Sequence, residues 1–463
     1  MHDGSLDRPA GQARALWMST ISFTACFAVW TIFSIIGVQI KSDLGLNDAE
    51  FGLLVGTPIL TGAIIRLALG IWTDQYGGRL VLTTVMLSAA AATLLLSFAA
   101  NYFQMLVAAL GVGVAGGSFA VGVAYLSRWY PTEKQGTALG LFGIGNVGAA
   151  VTHFTAPFVM VAFGWAAVAQ VWAGALAAMA LAFWVLAHDD PATIARRAGG
   201  TPTASLAKRL APLKKLQVWR FSLYYFFTFG AFVALALWLP RYYVGVYGLS
   251  IETAGLMVTA FSLAGSVFRA FGGWLSDKYG ARAVMYVSLM AAVAITFLIS
   301  YPETEYIVHG IKGDIRFAIG IGFVPFVLLT VVLGFFMSLG SAAVYKHIPV
   351  YYPDNVGSVG GLVGMIGALG GFVLPIAFGF MNDLVNVWTS CFMLLFGLVS
   401  MALIWMHVAI RIMERSKIPE LRGPKYLPEL EPAIETELDA VSRPGPAGRP
   451  ASVTKQAHSN MHS

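Results

Sequence analysis

The chain has 463 residues, of which 57% are hydrophobic and only 11% are charged, and its formal net charge is +6. These polar side chains are too few to cover a water-soluble protein of this size, so the composition excludes a soluble globule and indicates an integral membrane protein. The basic residues are spread over short loops and form no single patch, which argues against nucleic acid as a partner.

Twelve apolar runs are long enough to cross about 30 Å of hydrocarbon as helices. No small-residue cleavage site follows the first run, so we expect a retained span and no signal peptide. Cys26 and Cys391 fall inside the runs and predict neither a disulfide nor a metal site. Residues 301–316 are polar and predict an external loop. The runs lie near residues 16–40, 51–72, 80–99, 103–127, 137–163, 166–187, 219–245, 252–275, 282–300, 318–348, 357–381 and 386–411.

Lysine and arginine cluster after the even-numbered runs, which predicts that these loops and both termini face the cytoplasm across the cell membrane. A polar, proline-containing stretch separates two blocks of six runs and predicts a linker. We therefore expect an all-α membrane protein built from two six-helix bundles and lying in the lipid bilayer. The predicted segments are a tail at 1–15, bundles at 16–187 and 219–411, a cytoplasmic linker at 188–218, and a mostly disordered tail at 412–463.

One charged pattern occurs twice, in the turn between the second and third runs of each block. The two copies consist of Arg66, Gly70, Asp74, Gly77 and Arg79, and of Arg269, Gly273, Asp277, Gly280 and Arg282. Two six-helix repeats with this paired pattern resemble the major facilitator superfamily. The resemblance implies two halves that rock about a site at the membrane midplane.

The charges at the ends of the two patterns predict a cytoplasmic gate formed by Asp74, Arg79, Asp277 and Arg282. Each carboxylate can accept bonds from a facing helix N-terminus or arginine, which would hold the halves together in one state and release them in the other. The alternative interpretation is simple interfacial charge at helix ends. Because the pattern occurs in both halves, we favour the gate.

Two arginines, Arg66 and Arg269, lie well inside apolar runs, one in each half. An unpaired charge there costs roughly 2.5–3.5 kcal/mol on insertion scales. No aspartate or glutamate lies deep inside any run, so pairing with a buried carboxylate does not explain them. The two arginines therefore predict an anion site between the halves. Guanidinium groups suit planar or bent oxyanions, but a dicarboxylate or a phosphate would also pair with arginine.

Stripes of glycine run along the fifth and eleventh runs, where they let other helices approach closely or slide. Ordinary small-residue packing is the alternative for either stripe alone. Asn146 lies within the first stripe and places an amide donor at midspan, which favours a functional role. The glycines that we single out are Gly143, Gly145 and Gly148 in the fifth run, and Gly361, Gly364 and Gly367 in the eleventh.

The Gly-x-Gly-Asn-x-Gly segment at 143–148, the two stripes and the paired arginines are similar to the nitrate/nitrite porter family within the major facilitator superfamily. The resemblance implies that Arg66 and Arg269 hold nitrate or nitrite and that Asn146 donates to the anion. It also implies aromatic rings above and below the ion.

For these aromatic positions, Tyr225 matches a family residue that reaches the anion through its hydroxyl, and Phe229 matches a residue that stacks on it. Phe119 in the fourth run is the expected opposing ring. The chain has 31 Phe and 17 Tyr, so plain packing is a serious alternative. Aromatic rings would suit a weakly hydrated flat anion, whose removal from water costs little.

The sequence does not choose between two modes of coupling, nitrate/nitrite exchange and proton-coupled nitrate import. Repulsion between two guanidinium groups in an empty site favours exchange, whereas Lys346 resembles the lysine of proton-coupled members and is the candidate for proton coupling. The alternative for Lys346 is an ordinary positive residue at a cytoplasmic helix end. We expect a monomer with no cofactor, no metal and no enzymatic activity. Two other functions remain, a transporter for another small oxyanion such as formate or oxalate, and an anion-sensing receptor that signals through the polar tail.

Overall fold

The computed structural model describes residues 8–130, 132–190, 193, 211–352 and 356–417. The chain forms two compact units, Met1–Val408 and Ala409–Ser463, and the fold below is that of the first. Most of the predicted linker, part of the N-terminal tail and nearly all of the C-terminal tail lie outside the described residues. The expectations for those segments therefore stay predictions.

Twelve described helices are long and apolar enough to cross a membrane, which confirms the predicted number of spans. Because consecutive spans cross in opposite directions, α6 ends and α7 begins at one end of the bundle, which we call the linker end. The spans are α1 Gly11–Leu44, α2 Asp48–Tyr76, α3 Gly78–Leu96, α4 Tyr102–Trp129, α5 Ala138–Phe163, α6 Trp165–Leu186, α7 Leu216–Tyr247, α8 Ile251–Tyr279, α9 Ala281–Ser300, α10 Phe323–Ile348, α11 Val359–Val385 and α12 Ser390–Ile412.

Capping places the start of α2 earlier than the apolar pattern predicts. The Asn47 side chain accepts the backbone N–H of Glu50 at 2.7 Å, and the Glu50 carboxylate accepts the backbone N–H of Asn47 at 2.9 Å. This reciprocal cap satisfies two N–H groups that the first helical turn leaves unpaired. The helix therefore begins at Asp48, three residues before the predicted start, and the side chain of Asp48 becomes buried.

Three of the described spans contain a short 3₁₀ or π-helical segment. Such segments inside a helix often mark functional positions. The segment in α4 ends just before Phe119, and those in α5 and α7 contain Asn146 and Phe229. The segments are the 3₁₀ turns Gly113–Gly117 and Ile144–Val147, and the π-helical turn Phe226–Ala231.

A β-hairpin replaces the external loop that we predicted between α9 and α10. Its strands, β1 Thr304–Gly310 and β2 Gly313–Ile319, pair antiparallel with Tyr306 opposite Phe317. Side chains alternate between the two faces of a strand, so a segment that mixes polar and apolar residues can form strands as readily as a loop. We call the end of the bundle that carries this hairpin the hairpin end.

Glycines let the backbones of the two halves touch toward the hairpin end. A methyl group at Gly52 of α2 would overlap the carbonyl oxygen of Pro375 in α11, and one at Gly379 would overlap a carbonyl oxygen of α2. The second seam joins α5 and α8, where a methyl group at Gly255 would overlap the carbonyl oxygen of His153. Close backbone approach at small residues replaces hydrophobic collapse as the means of helix association in lipid.

Gly148 provides a test of close backbone packing within one half. Replacing it with alanine would drive the new methyl group into the carbonyl oxygen of Thr24 in α1. We expect Gly148→Ala to destabilise the protein by about 1–3 kcal/mol, the usual cost of overpacking, measured as a lower thermal midpoint in detergent. The matched control is Gly174→Ala in α6, where no atom lies within 4 Å, and alanine should be neutral or stabilise by up to about 1 kcal/mol. Equal effects of the two changes would contradict the packing.

Candidate functional site

Arg66 lies in the interior of α2 with only 7% of its surface exposed. Its Nε donates to the carbonyl oxygen of Gly116 in α4 at 3.3 Å, and its Nη1 donates to the carbonyl oxygen of Gly364 in α11 at 3.0 Å. The second bond crosses from one half to the other. Trp30 and Phe119 flank the guanidinium, with ring centroids 5.8 and 5.5 Å from Cζ. Backbone carbonyls and aromatic rings therefore hold this cation in place.

Arg269 of α8 occupies the corresponding position in the second half. Its Nη2 donates to the hydroxyl oxygen of Tyr225 in α7 at 2.8 Å. Three rings surround its Cζ at 5.7–5.8 Å, those of Tyr225, Phe229 and Tyr345. Cation–π contact of this kind stabilises a guanidinium that has left water without neutralising its charge. The predicted Tyr225 and Phe229 are thus immediate neighbours of the predicted arginine.

Tyr345 lies between the two arginines. Its ring contacts Tyr225 edge-on at 5.0 Å, and its hydroxyl donates to the carbonyl oxygen of Gly360 at 3.2 Å. A methyl group at Gly364 would come within 2.6 Å of the Tyr345 hydroxyl and 3.9 Å of Arg66 Nη1. Glycine at 364 therefore leaves room for the hydroxyl of Tyr345 beside Arg66.

Stacked aromatic rings form one wall of this region in the first half. Phe119 packs against Phe142 at 5.8 Å and against Phe23 at 5.4 Å, and Phe23 and Phe142 stack at 4.9 Å. Tyr225 and Phe229 stack at 5.0 Å on the opposite side, in the second half. Each half thus supplies one arginine and a set of rings, as expected for a site between two repeats.

Asn146 is almost fully buried, and its Oδ1 has no hydrogen-bond partner among the described atoms. Buried amide oxygens nearly always have a partner, so an orphaned one needs an explanation. A methyl group at Gly143, one turn earlier, would lie 3.6 Å from Cδ of Arg269. The stretch of α5 that carries Asn146 therefore runs beside the second arginine.

The two glycine stripes make different contacts. Methyl groups at Gly145 and Gly148 would collide with Phe23 and with the carbonyl oxygen of Thr24, so this stripe seats α5 on α1 of its own half. Gly367 provides room for the ring of Tyr225, whereas a side chain at Gly361 would meet nothing within 4 Å. The stripe in α11 therefore makes space for the tyrosines of the site.

Charge compensation is confined to the ends of the spans. Every aspartate or glutamate of the twelve described spans lies in the first or last turn of its helix. Within the part of the chain that the structure describes, neither Arg66 nor Arg269 forms an ion pair. Two cations thus lie in a largely buried region without a carboxylate, which is costly in a membrane and makes this region the candidate functional site.

At the linker end of the first half, the predicted gate residues have partners in their own half. Asp74 pairs with Arg128 of α4, which also donates to the carbonyl oxygen of Thr73 at 3.0 Å. Arg79 donates to the carbonyl oxygen of Trp184 through Nε at 3.1 Å and Nη2 at 2.6 Å, and lies over its ring. These contacts fix turns within one bundle.

The second half repeats this arrangement in a more exposed form. Asp277 at the end of α8 pairs with Lys346 at the end of α10, and both side chains are about half exposed. The pairing places Lys346 at the linker end, with its ammonium group on a carboxylate outside the region of the two arginines. Arg282 lies in the first turn of α9 and is half buried.

Five polar residues at the hairpin end connect the two halves, and the sequence analysis missed them. Asp48 of α2 accepts hydrogen bonds from Arg241 of α7 and Asn382 of α11, and pairs with Lys41 at 2.9 Å. Asp383 accepts the backbone N–H groups of Asp48 at 3.3 Å and of Ala49 at 2.9 Å, at the positive end of the α2 dipole. We call Lys41, Asp48, Arg241, Asn382 and Asp383 the latch.

Arg241 is held on both sides by rings, with Phe51 and Trp388 centred 5.6 and 4.9 Å from its Cζ. Its position inside the predicted seventh run could have indicated this cluster, because an arginine in an apolar run needs a partner. The partner was hidden because Asp48 fell in a predicted turn. Arg220 of α7 is also buried, so the arginines of the site are not the only buried cations.

The chain has close relatives among membrane transporters. It is 40% identical over 419 residues to a probable nitrate/nitrite antiporter NarK1 of Thermus thermophilus, covering 87% of this chain and 93% of the relative. It is 31% identical to the nitrite extrusion protein of Bacillus subtilis, and 32% identical to a probable nitrate/nitrite transporter NarK2 of Mycobacterium tuberculosis. These two matches cover 85% and 80% of the chain, and 94% and 89% of the relatives.

Solved structures of transporters share the fold. A bacterial homologue of the human lysosomal transporter Spinster, in an inward-facing and occupied conformation, superposes with a TM-score of 0.68 at 15% identity, covering 88% of this chain and 98% of that one. The nucleoside transporter NupG superposes with a TM-score of 0.65 at 13% identity, covering 85% and 99%. The family model of the Major Facilitator Superfamily matches residues 18–323 and 251–443. The chain is therefore a member of the Major Facilitator Superfamily and, within it, of the nitrate/nitrite porter family.

Proposed function

We propose that this protein carries nitrate and nitrite across the cytoplasmic membrane by alternating access, with its linker end in the cytoplasm. The choice of the two anions is supported by the names of the relatives. Alternating access is supported by the fold, in which two halves can rock about a central site. The excess of lysine and arginine in the loops at the linker end supports the orientation. The transport needs no covalent chemistry.

One observation carries the proposal. Arg66 and Arg269 come from different halves, approach the same tyrosine, and have no carboxylate partner among the described residues. A guanidinium group can offer two parallel N–H donors to a flat oxyanion, and two such groups can hold it from opposite sides. An anion between them would neutralise part of the positive charge of these two guanidinium groups, which have little contact with water.

The neighbouring groups favour a weakly hydrated planar anion. Stacked rings on both sides, Phe119 with Phe142 and Tyr225 with Phe229, offer flat apolar surfaces and few competing donors. Leaving water costs nitrate or nitrite less than it costs a carboxylate or phosphate. In this proposal Asn146 donates its amide N–H to the anion, and Tyr225 orients Arg269.

We propose exchange of one anion for another as the coupling mode. With an anion bound, repulsion between the guanidinium groups decreases and the halves can close, whereas the empty site resists closure. The carboxylates of the described spans all lie at helix ends, and Lys346 is paired with Asp277 there, so neither is in a position to carry a proton beside the anion. Proton-coupled import is the competing mode.

The contacts between the halves support a state closed at the hairpin end. The latch and both glycine seams lie on that side of the arginines. Alternating access then requires the latch to break and the halves to meet at the linker end instead. In that second state, Asp74, Arg79, Asp277 and Arg282 would exchange their present partners for partners in the other half, as the gate prediction requires.

Substituting lysine for either arginine tests the site. Arg66→Lys and Arg269→Lys keep the charge but remove the paired donors. We expect the apparent affinity for nitrate to fall about ten- to hundredfold, since a charged hydrogen bond contributes roughly 1.5–3 kcal/mol. Uptake of labelled nitrate into proteoliposomes measures it. Arg316→Lys on the exposed hairpin is the matched control and should transport normally. Unchanged affinity in both site variants would refute the proposed role.

Counterflow distinguishes exchange from proton coupling. Proteoliposomes are loaded with nitrite or with buffer, and uptake of labelled nitrate is followed with and without an inward proton gradient. We expect uptake only into nitrite-loaded vesicles and no stimulation by external acid. Uptake into buffer-loaded vesicles driven by acid would establish symport. Inhibition by formate or oxalate as strong as by nitrite would favour a broader oxyanion carrier.

Cross-linking the hairpin end tests alternating access. Ala49 and Asp383 belong to different halves, and the backbone N–H of Ala49 donates to the Asp383 carboxylate at 2.9 Å. In the double variant Ala49→Cys/Asp383→Cys, a short cleavable thiol cross-linker should stop transport, and cleavage of the linker should restore it. The single variants treated in the same way are the controls. Full transport with the link intact would exclude opening at this end.

A further inference from the structure

The hairpin between α9 and α10 has one apolar and one polar face. The register pairs Tyr306 with Phe317 and Val308 with Ile315 on the first face. Tyr306 and Phe317 stack with their ring centroids 5.5 Å apart. The second face carries Glu305 opposite Ala318, Ile307 opposite Arg316, and His309 hydrogen-bonded to Asp314. Because strand side chains alternate in direction, this separation is a property of the register.

No described part of the chain covers the apolar face. Phe317 is 43% exposed, Ile315 is 58% exposed, and Ile311 at the tip is fully exposed. A two-stranded hairpin alone is marginally stable in water, since three strands or a packed surface are normally needed. A contiguous exposed apolar patch of this kind marks an interaction surface. The face therefore requires a partner from outside the chain.

Short connections keep the hairpin close to the membrane surface. Three residues separate Ser300, the end of α9, from Thr304, and three separate Ile319 from Phe323, the start of α10. Each strand of seven residues extends about 23 Å at roughly 3.3 Å per residue. Because both strands connect directly to membrane spans, the base of the hairpin lies at the membrane surface, and strands of this length can lie along that surface.

The two spans beside the hairpin also expose apolar side chains near the ends from which it extends. Phe297 in the last turn of α9 is 57% exposed, and Val324 and Leu328 at the start of α10 are 62% and 60% exposed. These side chains point away from the bundle, where a membrane protein meets acyl chains. The apolar face of the hairpin carries Tyr306, and tyrosine is favoured at the membrane interface because its ring is apolar and its hydroxyl reaches water.

We propose that the hairpin is an interfacial anchor: its apolar face lies against the acyl-chain boundary of the outer leaflet, and its polar face points to water. The anchor fixes the depth of the adjoining ends of α9 and α10. Since α10 carries Tyr345 between the two arginines, the anchor gives the second half a fixed reference in the bilayer while the halves rock. This inference does not depend on the identity of the transported anion.

Spin labels on neighbouring residues of β2 test the anchor. Phe317→Cys and Arg316→Cys place a nitroxide on opposite faces of one strand, and Tyr306→Cys and Ile307→Cys repeat the comparison on β1. The native Cys26 and Cys391 are at most 1% exposed and should remain unlabelled. In proteoliposomes, we expect the ratio of oxygen to water-soluble nickel-chelate collisions to be several-fold higher at 317 and 306 than at 316 and 307. Elution of each variant as a single peak in detergent confirms folding.

Two outcomes would overturn the anchor. Equal nickel accessibility on the two faces would show that the hairpin stands in water. Low accessibility to both reagents at 317 and 306, together with spin–spin broadening that disappears on dilution with unlabelled protein, would show that a second copy of the chain covers the face. Neither result bears on nitrate uptake, so failure of the anchor and failure of the proposed transport are separate findings.

Discussion

Two guanidinium groups kept away from carboxylates are the constraint on which the rest of this structure depends. A buried cation is tolerated only when something repays its lost hydration. Arg66 is held by two backbone carbonyls and Arg269 by a tyrosine hydroxyl and three rings. These contacts orient both groups without cancelling their charge. The site consequently keeps a positive potential that a neutral or carboxylate-paired site would lose.

The glycines follow from that requirement. To bring Arg66 to Gly364 and Arg269 beside Gly143, the helices of the two halves must approach at backbone distance. Larger residues at Gly52, Gly255 or Gly379 would separate them, since the neighbouring carbonyl oxygens already occupy the space that a side chain needs. Such backbone contacts are short-ranged and weakly directional, so they can be broken and remade without leaving polar groups stranded in lipid.

Sequence reasoning located the spans and the arginines because both rest on local signals. Long apolar runs predict helices, and an arginine inside a run is conspicuous by itself. The latch required knowledge that Asp48 belongs to α2, which is decided by the cap at Asn47 and Glu50 and not by hydrophobicity. The hairpin was missed because Glu305, His309 and Arg316 make the segment polar on average, although alternate residues are apolar. The position of Tyr345 beside the arginines depends on how α7, α10 and α11 pack, which no local pattern in the sequence encodes.

The distribution of paired and unpaired charge bears on how the hairpin end of the bundle can be closed in one state and open in another. At the hairpin end the carboxylate of Asp48 pairs with both Arg241 and Lys41. At the centre the charges are uncompensated, so the stability of any state that seals the site on both sides depends on the cargo. Opening the latch costs several ion pairs but exposes them to water, which recovers much of their energy. Sealing an empty centre offers no such recovery. In the mechanism that we propose, the unpaired arginines therefore set a barrier to empty transitions, whereas the latch sets only the balance between the two open states.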